Sequence, residues 1–152
     1  MPYTVIRRIA MIYTELSKKA MLIAYHAHKD HVDKGGMPYI FHPLHLAEQM
    51  DTEYSVVTAL LHDVVEDSDI SLEDLRAEGF PEPILEALSL LTHEKHIPYL
   101  EYVQRLKKNE LAKKIKLADL AHNSDLSRLP VQDTCARQRF EKYQRAIALL
   151  EA

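Results

Sequence analysis

The stretch Val56-Val57-Thr58-Ala59-Leu60-Leu61-His62-Asp63-Val64-Val65-Glu66-Asp67 decides how the chain is read. Its first six residues are almost wholly apolar, the pattern of a helix buried on most sides. Its last turns carry four groups able to bind metal or move protons. In a continuous α-helix, side chains four apart share a face, so His62 stands under Glu66 and Asp63 under Asp67. The spacing therefore predicts a buried helix that delivers two columns of ionisable groups into an enclosed place. Buried charges must be paired or bound to metal, because desolvating an unpaired one costs several kcal/mol. The His-Asp dipeptide alone has little weight: nine His and ten Asp in this chain give roughly 0.6 such pairs by chance.

Two other segments supply company. In Pro38-Tyr39-Ile40-Phe41-His42-Pro43, a His precedes a Pro suited to open a helix over Leu44 to Met50, which puts His42 at a helix entrance in extended backbone. In Ile115-Lys116-Leu117-Ala118-Asp119-Leu120-Ala121-His122-Asn123 a helical pattern places Asp119 one turn before Asn123. His42, His62, Asp63 and Asp119 make a two-imidazole, two-carboxylate set suited to a divalent cation such as Mn²⁺, Fe²⁺ or Zn²⁺. A hydrolytic metal lowers the pKa of its bound water and polarises a phosphoryl oxygen. Glu66 and Asp67, one turn beyond, are placed to orient or deprotonate that water.

The order His42-Pro43, His62-Asp63, Glu66-Asp67 and Leu117-Ala118-Asp119 with His122-Asn123 resembles the HD superfamily of metal-dependent phosphohydrolases. Within it the chain is most similar to the hydrolase domain of the RelA/SpoT proteins and the small stand-alone alarmone hydrolases. The likeness runs from about Ala20 to Leu129 and includes Gly36-Met37-Pro38-Tyr39-Ile40-Phe41-His42-Pro43. It implies a Mn²⁺ held by His42, His62, Asp63 and Asp119; the ligand chemistry by itself also admits Fe²⁺, Zn²⁺, Co²⁺ or Ni²⁺. It also implies that Glu66 and Asp67 activate water to cleave the 3′-pyrophosphate of ppGpp or pppGpp, with Asn123 against the nucleotide. Three positions depart from the family. Asp33-Lys34-Gly35 stands where Arg-Lys-Ser is usual, Asp125 stands where an Arg follows the His-Asn, and Leu100-Glu101 stands where an Arg-Lys pair is expected. The metal machinery matches, whereas base and phosphate recognition matches only in part.

Length and composition set the remaining bounds. The 152 residues suit a single domain, residues 1–152, with a normal core and no need of disulfides. A net charge of −4 supplies no basic field for wrapping nucleic acid. The lone Cys135 reads as a small buried or half-exposed apolar residue and suits a reducing cytoplasm. No run approaches the ~20 apolar residues of a membrane span, and Arg7-Arg8 is followed by no export-type apolar region.

Tyr3 to Ile12 reads as a short helix. A firmer helix runs from about Thr14 to Lys29, with His26, His28 and His31 at its far end as a solvated or substrate-facing surface. Asp33-Lys34-Gly35-Gly36 is a loop where Lys34 can face a phosphate, and His45 is read as a packing residue. Ser71 with Asp74 starts a scaffold helix that ends at Gly79, and Pro81 starts the next, with Ile84, Leu85, Leu88 and Leu91 as its stripe. His93 and His96 sit in a loop read as solvated, with lining of the cleft mouth as the alternative. Tyr99 and Tyr102 pack in the core, Asn109 caps the helix bearing Asp119, and Lys113, Lys114 and Lys116 form a solvated face. Asp133 or Thr134 caps the last helix, whose Arg137, Arg139 and Arg145 look outward.

The expected architecture is an all-α, single-domain helical bundle of HD type. The expected function is a metal-dependent hydrolase of a small nucleotide substrate, working without nucleic acid or membrane, with a homo-oligomer left open. Two alternatives stay open: an HD phosphohydrolase of another nucleotide, such as a nucleoside monophosphate, and a nucleotide-binding regulator without turnover.

Overall fold

A computed structural model describes residues 11–152. The helices are α1 (Glu15–His28), α2 (Phe41–Glu48), α3 (Glu53–Leu61), α4 (Val64–Asp67), α5 (Leu72–Ala77), α6 (Glu82–Leu91), α7 (Tyr99–Leu106), α8 (Glu110–Asn123) and α9 (Thr134–Glu151). The fold is all-α, and among the described residues the only extended pairing is one isolated bridge between Val32 and Pro38. The helix expected over Tyr3 to Ile12 lies mostly outside the described residues; Met11 and Ile12 are not helical.

α3 is the axis of the bundle. Every residue from Ser55 to Leu61 is buried, and the helix packs against α1, α2, α6 and α8. An all-round apolar sequence has no face to give to water, so the neighbours must enclose it. Its two hydroxyls are satisfied locally: Thr58 Oγ1 donates to the Tyr54 carbonyl at 2.7 Å and Ser55 completes a capping box with Thr52. The same reciprocal cap starts α1 at Thr14 and α5 at Ser71, while Asn109 and Asp133 cap α8 and α9. Gly79, at φ +94°, ends the α5 turn in left-handed backbone that favours glycine. Leu75, Phe80, Ile84, Leu85, Leu88 and Leu91 bury the α5–α6 scaffold.

Three local expectations are corrected. The helix over Val56 to Asp67 is not continuous: it breaks at His62 and Asp63, between α3 and α4. His62 Nδ1 lies 2.6 Å from the Ala59 carbonyl, the acceptor that the amide of Asp63 would take in a continuing helix. The side chain takes the carbonyl and the ladder stops. Likewise α2 starts at Phe41 rather than Leu44, so His42 is helical and Pro43 falls in the first turn, where its missing N–H would have had no intrahelical partner anyway. Cys135 is exposed rather than packed.

Candidate metal centre and cleft

The break at His62–Asp63 has a chemical consequence. Adjacent residues of a regular helix point about 100° apart, yet here His62 Nε2 and Asp63 Oδ2 lie 3.0 Å apart. α2 brings His42 to the same point and α8 brings Asp119. His42 Nε2 is 2.9 Å from Asp119 Oδ1 and 3.9 Å from Asp63 Oδ2, and His62 Nε2 is 3.6 Å from Asp119 Oδ1. His42, His62 and Asp119 are buried, and each offers one ligand atom within 4.8 Å of the others. His62 Nε2 is buried with no aligned hydrogen bond among the described residues. The Ala59 carbonyl engages its Nδ1, which places a proton there and turns Nε2 to the carboxylates, where a bound cation would take its lone pair. Two imidazole nitrogens and two carboxylates around an orphaned buried nitrogen fit a divalent cation.

The surroundings set the charges. Burial raises the cost of ionising Asp119, but the Lys116 ammonium, followed by His42 and His62 at 2.9 and 3.6 Å, outweighs it and holds its carboxyl well below the usual range. Asp63 is held low against burial chiefly by His62. The Tyr39 hydroxyl donates to Asp63 Oδ2, and burial followed by Asp63 pushes its ionisation far up, so it stays a donor. Asn123 Nδ2 donates to Asp119 Oδ1 at 2.9 Å.

Lys116 corrects the expectation of a solvated lysine face. Its side chain is 12% exposed, and Nζ donates to Asp119 Oδ2 at 2.9 Å. It lies 5.7 and 5.2 Å from the Tyr99 and Tyr102 ring centroids, so two π-faces help hold the buried cation. Tyr102 is buried, as a core residue should be, and its hydroxyl donates to the Leu91 carbonyl. Lys114 remains on the surface with Asp51. Of the two readings of His93, the structure places it on the cleft: its amide donates to Glu66 Oε1 at 2.8 Å and its ring stacks on Tyr102 at 4.5 Å. Glu66, His93 and Lys116 line a chamber of about 100 Å³ that opens on His62, Asp63 and Asp119. His28, expected on the surface, is buried against Tyr39, and burial lowers its pKa to about 4. His122, next to the centre, is lowered to about 4 as well, by burial first and then by Arg128.

Asp67 carries a carboxyl pushed up to about 6, by burial first and then by Asp63 and Glu66. A folded pKa above the unfolded value of 3.8 means that the native state binds more protons in that interval, so stability falls as pH rises through it. In metal-free protein, Asp67→Asn should therefore gain stability over wild type between about pH 4 and 6 and hold a constant margin above. Urea midpoints across pH measure this; a margin independent of pH counts against the shift.

On the other side of the centre lies a cleft of about 230 Å³ whose lining includes Lys34, Tyr39, His42, Asn123, Arg128 and Arg139. The departures from the family pattern acquire physical roles here. Asp33 Oδ1 accepts the amides of Gly35 and Met37 at 2.8 and 3.0 Å, and its Oδ2 pairs with Arg128 at 3.1 Å. Asp125 caps the 3₁₀ turn Leu126–Arg128 through Ser127. Arg128 also donates to the His122 carbonyl at 2.8 Å, which ties the two loops together. Cations are thus not missing from the cleft but come from other positions: Lys34 as expected, Arg128 and Arg139 unforeseen. Leu100 is exposed on the surface.

Gly35 meets this clamp at close range, since a Cβ there would sit 2.3 Å from the Arg128 carbonyl oxygen. Gly35→Ala should force the loops apart, cost about 1–3 kcal/mol and raise KM more than it lowers kcat. Thermal melts with steady-state kinetics check this; an unchanged KM would show that the clamp does not shape the cleft.

The chain is similar to several guanosine-3′,5′-bis(diphosphate) 3′-pyrophosphohydrolases and, over a small part of their length, to GTP pyrophosphokinases. It is 32% identical over 130 residues to the guanosine-3′,5′-bis(diphosphate) 3′-pyrophosphohydrolase MESH1 of Danio rerio, covering 78% of this chain and 71% of that protein. It is 34% identical over 92 residues to the guanosine-3′,5′-bis(diphosphate) 3′-pyrophosphohydrolase of Aquifex aeolicus, covering 57% of this chain and 13% of that longer protein. A solved structure of a metazoan ortholog of SpoT that hydrolyzes ppGpp superposes with a TM-score of 0.72 at 24% identity, over 94% of this chain and 89% of that one, which supports the fold. No family model matches. On the extent of the zebrafish match, the chain belongs to the MESH1 family of guanosine-3′,5′-bis(diphosphate) 3′-pyrophosphohydrolases.

Proposed function

We propose that the chain, acting as one domain in the cytoplasm, is a metal-dependent hydrolase that removes pyrophosphate from the 3′ position of guanosine 3′,5′-bis(diphosphate). The observation that carries this is the convergence of His42, His62, Asp63 and Asp119 on one point, with Glu66 in the adjoining chamber. These four residues would hold the cation, Mn²⁺ by the family likeness. When bound, it would supply a Lewis acid to the phosphoryl oxygens and lower the pKa of the attacking water.

The rest is the work of the chain's own groups. Glu66, whose Oε1 is oriented by the His93 amide, accepts the proton of the attacking water. Asp67, with its raised pKa, shares that proton. The water oxygen forms the new P–O bond as the bond from phosphorus to the 3′ oxygen breaks. The proton taken from the water passes from the carboxylates to that oxygen, so the nucleotide leaves with a 3′ hydroxyl and the pyrophosphate keeps the other hydrogen of the water. Lys34 and Arg139 hold phosphate charge at the cleft, and Asn123 ties the cleft wall to Asp119. Lys116 keeps Asp119 ionised throughout.

The Asp33–Arg128 pair favours a second reading. A cleft wall neutralised by its own ion pair suits a nucleotide with less charge at that end, such as a nucleoside monophosphate. The deciding experiment is phosphate and pyrophosphate release from ppGpp, pppGpp, nucleoside mono- and triphosphates and NADPH, with Mn²⁺ or with chelator. Pyrophosphate from ppGpp, abolished by chelator, supports the first reading. Phosphate from another nucleotide alone supports the second, and silence across the panel sinks both.

A further inference from the structure

The side of His42 turned away from the cluster carries a feature of its own. Its Nδ1 lies 2.7 Å from Nδ1 of His122. The two rings are nearly parallel, 7° apart with centroids at 5.0 Å. The exposed His45 stacks on His122 in turn, with centroids 4.1 Å apart and an angle of 27°. Two ring nitrogens at that distance need one proton between them, so one must donate and the other accept. His42 Nε2 faces the carboxylates of Asp119 and Asp63, where a bound cation would take its lone pair. Its proton therefore belongs on Nδ1, and the His122 Nδ1 accepts it.

We propose that His122 is a positioning residue for the metal: by accepting the Nδ1 proton of His42, it holds that imidazole in the tautomer and ring plane that present Nε2 to the cation. This rests on the reading of His42 as a ligand. The two ligand histidines are then oriented by different devices. His62 donates to the Ala59 carbonyl of its own helix, whereas His42 has no such backbone partner among the described residues and donates to a side chain of α8. His122 is itself braced, by His45 on its outer face and by Arg128 on its backbone carbonyl. Because α8 also carries Asp119, one helix supplies a ligand and the partner that orients another. Outer partners of metal-bound histidines are usually carboxylates, carbonyls or water. A neutral ring donates less electron density, so the cation here is held by orientation more than by added ligand basicity.

The test uses the full chain and Mn²⁺ alone, with binding followed by the electron paramagnetic resonance signal of free Mn²⁺. His122→Ala and His122→Phe should each weaken Mn²⁺ binding roughly 10- to 100-fold. Phe keeps a stacking ring without an acceptor, so it separates the hydrogen bond from packing and serves if the Ala variant folds poorly. Free imidazole should restore binding to the Ala variant and not to the Phe variant. Wild-type affinity in His122→Phe overturns the proposal in favour of stacking. Wild-type affinity in both variants, with binding lost in His42→Ala, overturns it while leaving the ligand reading intact. Wild-type affinity in His42→Ala removes that reading and this proposal together.

Discussion

Glu66→Gln should lower kcat on ppGpp by about 10²- to 10⁴-fold, the usual worth of a positioned proton acceptor, while metal content and KM stay close to wild type. The amide keeps the length of the carboxylate and can still accept from the His93 amide, so the loop between α6 and α7 keeps its anchor. What the substitution removes is the ability to take a proton in the chamber beside His62, Asp63 and Asp119. Glu66 is none of the four groups that converge, so a loss of bound metal would mean that it acts on the centre instead. Steady-state kinetics with metal analysis on the same preparation separate these outcomes. Turnover unchanged by the substitution would leave Asp67 alone as the acceptor.

Lys116→Met should destabilise the metal-free protein strongly and the manganese-loaded protein much less. The Lys116–Asp119 pair has side-chain exposures of 12% and 9%, and removal of one partner from a buried pair costs about 3–5 kcal/mol. For a chain of this size that lowers the melting temperature by something on the order of 10 °C. Met retains the packing against Tyr99 and Tyr102, so the loss reports the charge. A bound cation offers Asp119 another positive partner, hence the rescue by Mn²⁺. Melting curves with and without metal give the answer; equal losses in both states would mean that Asp119 does not face the cation.

What was legible in the sequence was mostly local. Capping at Ser71 and Asn109 and the stripe of α6 follow from residues a few positions apart, so their reading needed no tertiary knowledge. The four residues of the centre were legible as a set because their chemistry is rare in combination and because the family likeness orders them. The break after Leu61 was not, since it depends on the imidazole of His62 taking a backbone carbonyl once neighbours confine it. Lys116 was hidden for a related reason. A run of lysines reads as a wet face until Tyr99 and Tyr102, on another helix, turn their rings toward one of them. Asp33 looked like a lost cation because Arg128, which answers it, lies 95 positions away in the chain.

The central claim is that His42, His62, Asp63 and Asp119 hold one divalent ion. Anomalous diffraction at the manganese edge from crystals grown with Mn²⁺ tests it most directly. The account predicts a single strong peak bounded by Nε2 of His42, Nε2 of His62 and a carboxylate oxygen from each of Asp63 and Asp119. A peak elsewhere, or no peak at a manganese concentration that supports turnover, would contradict it.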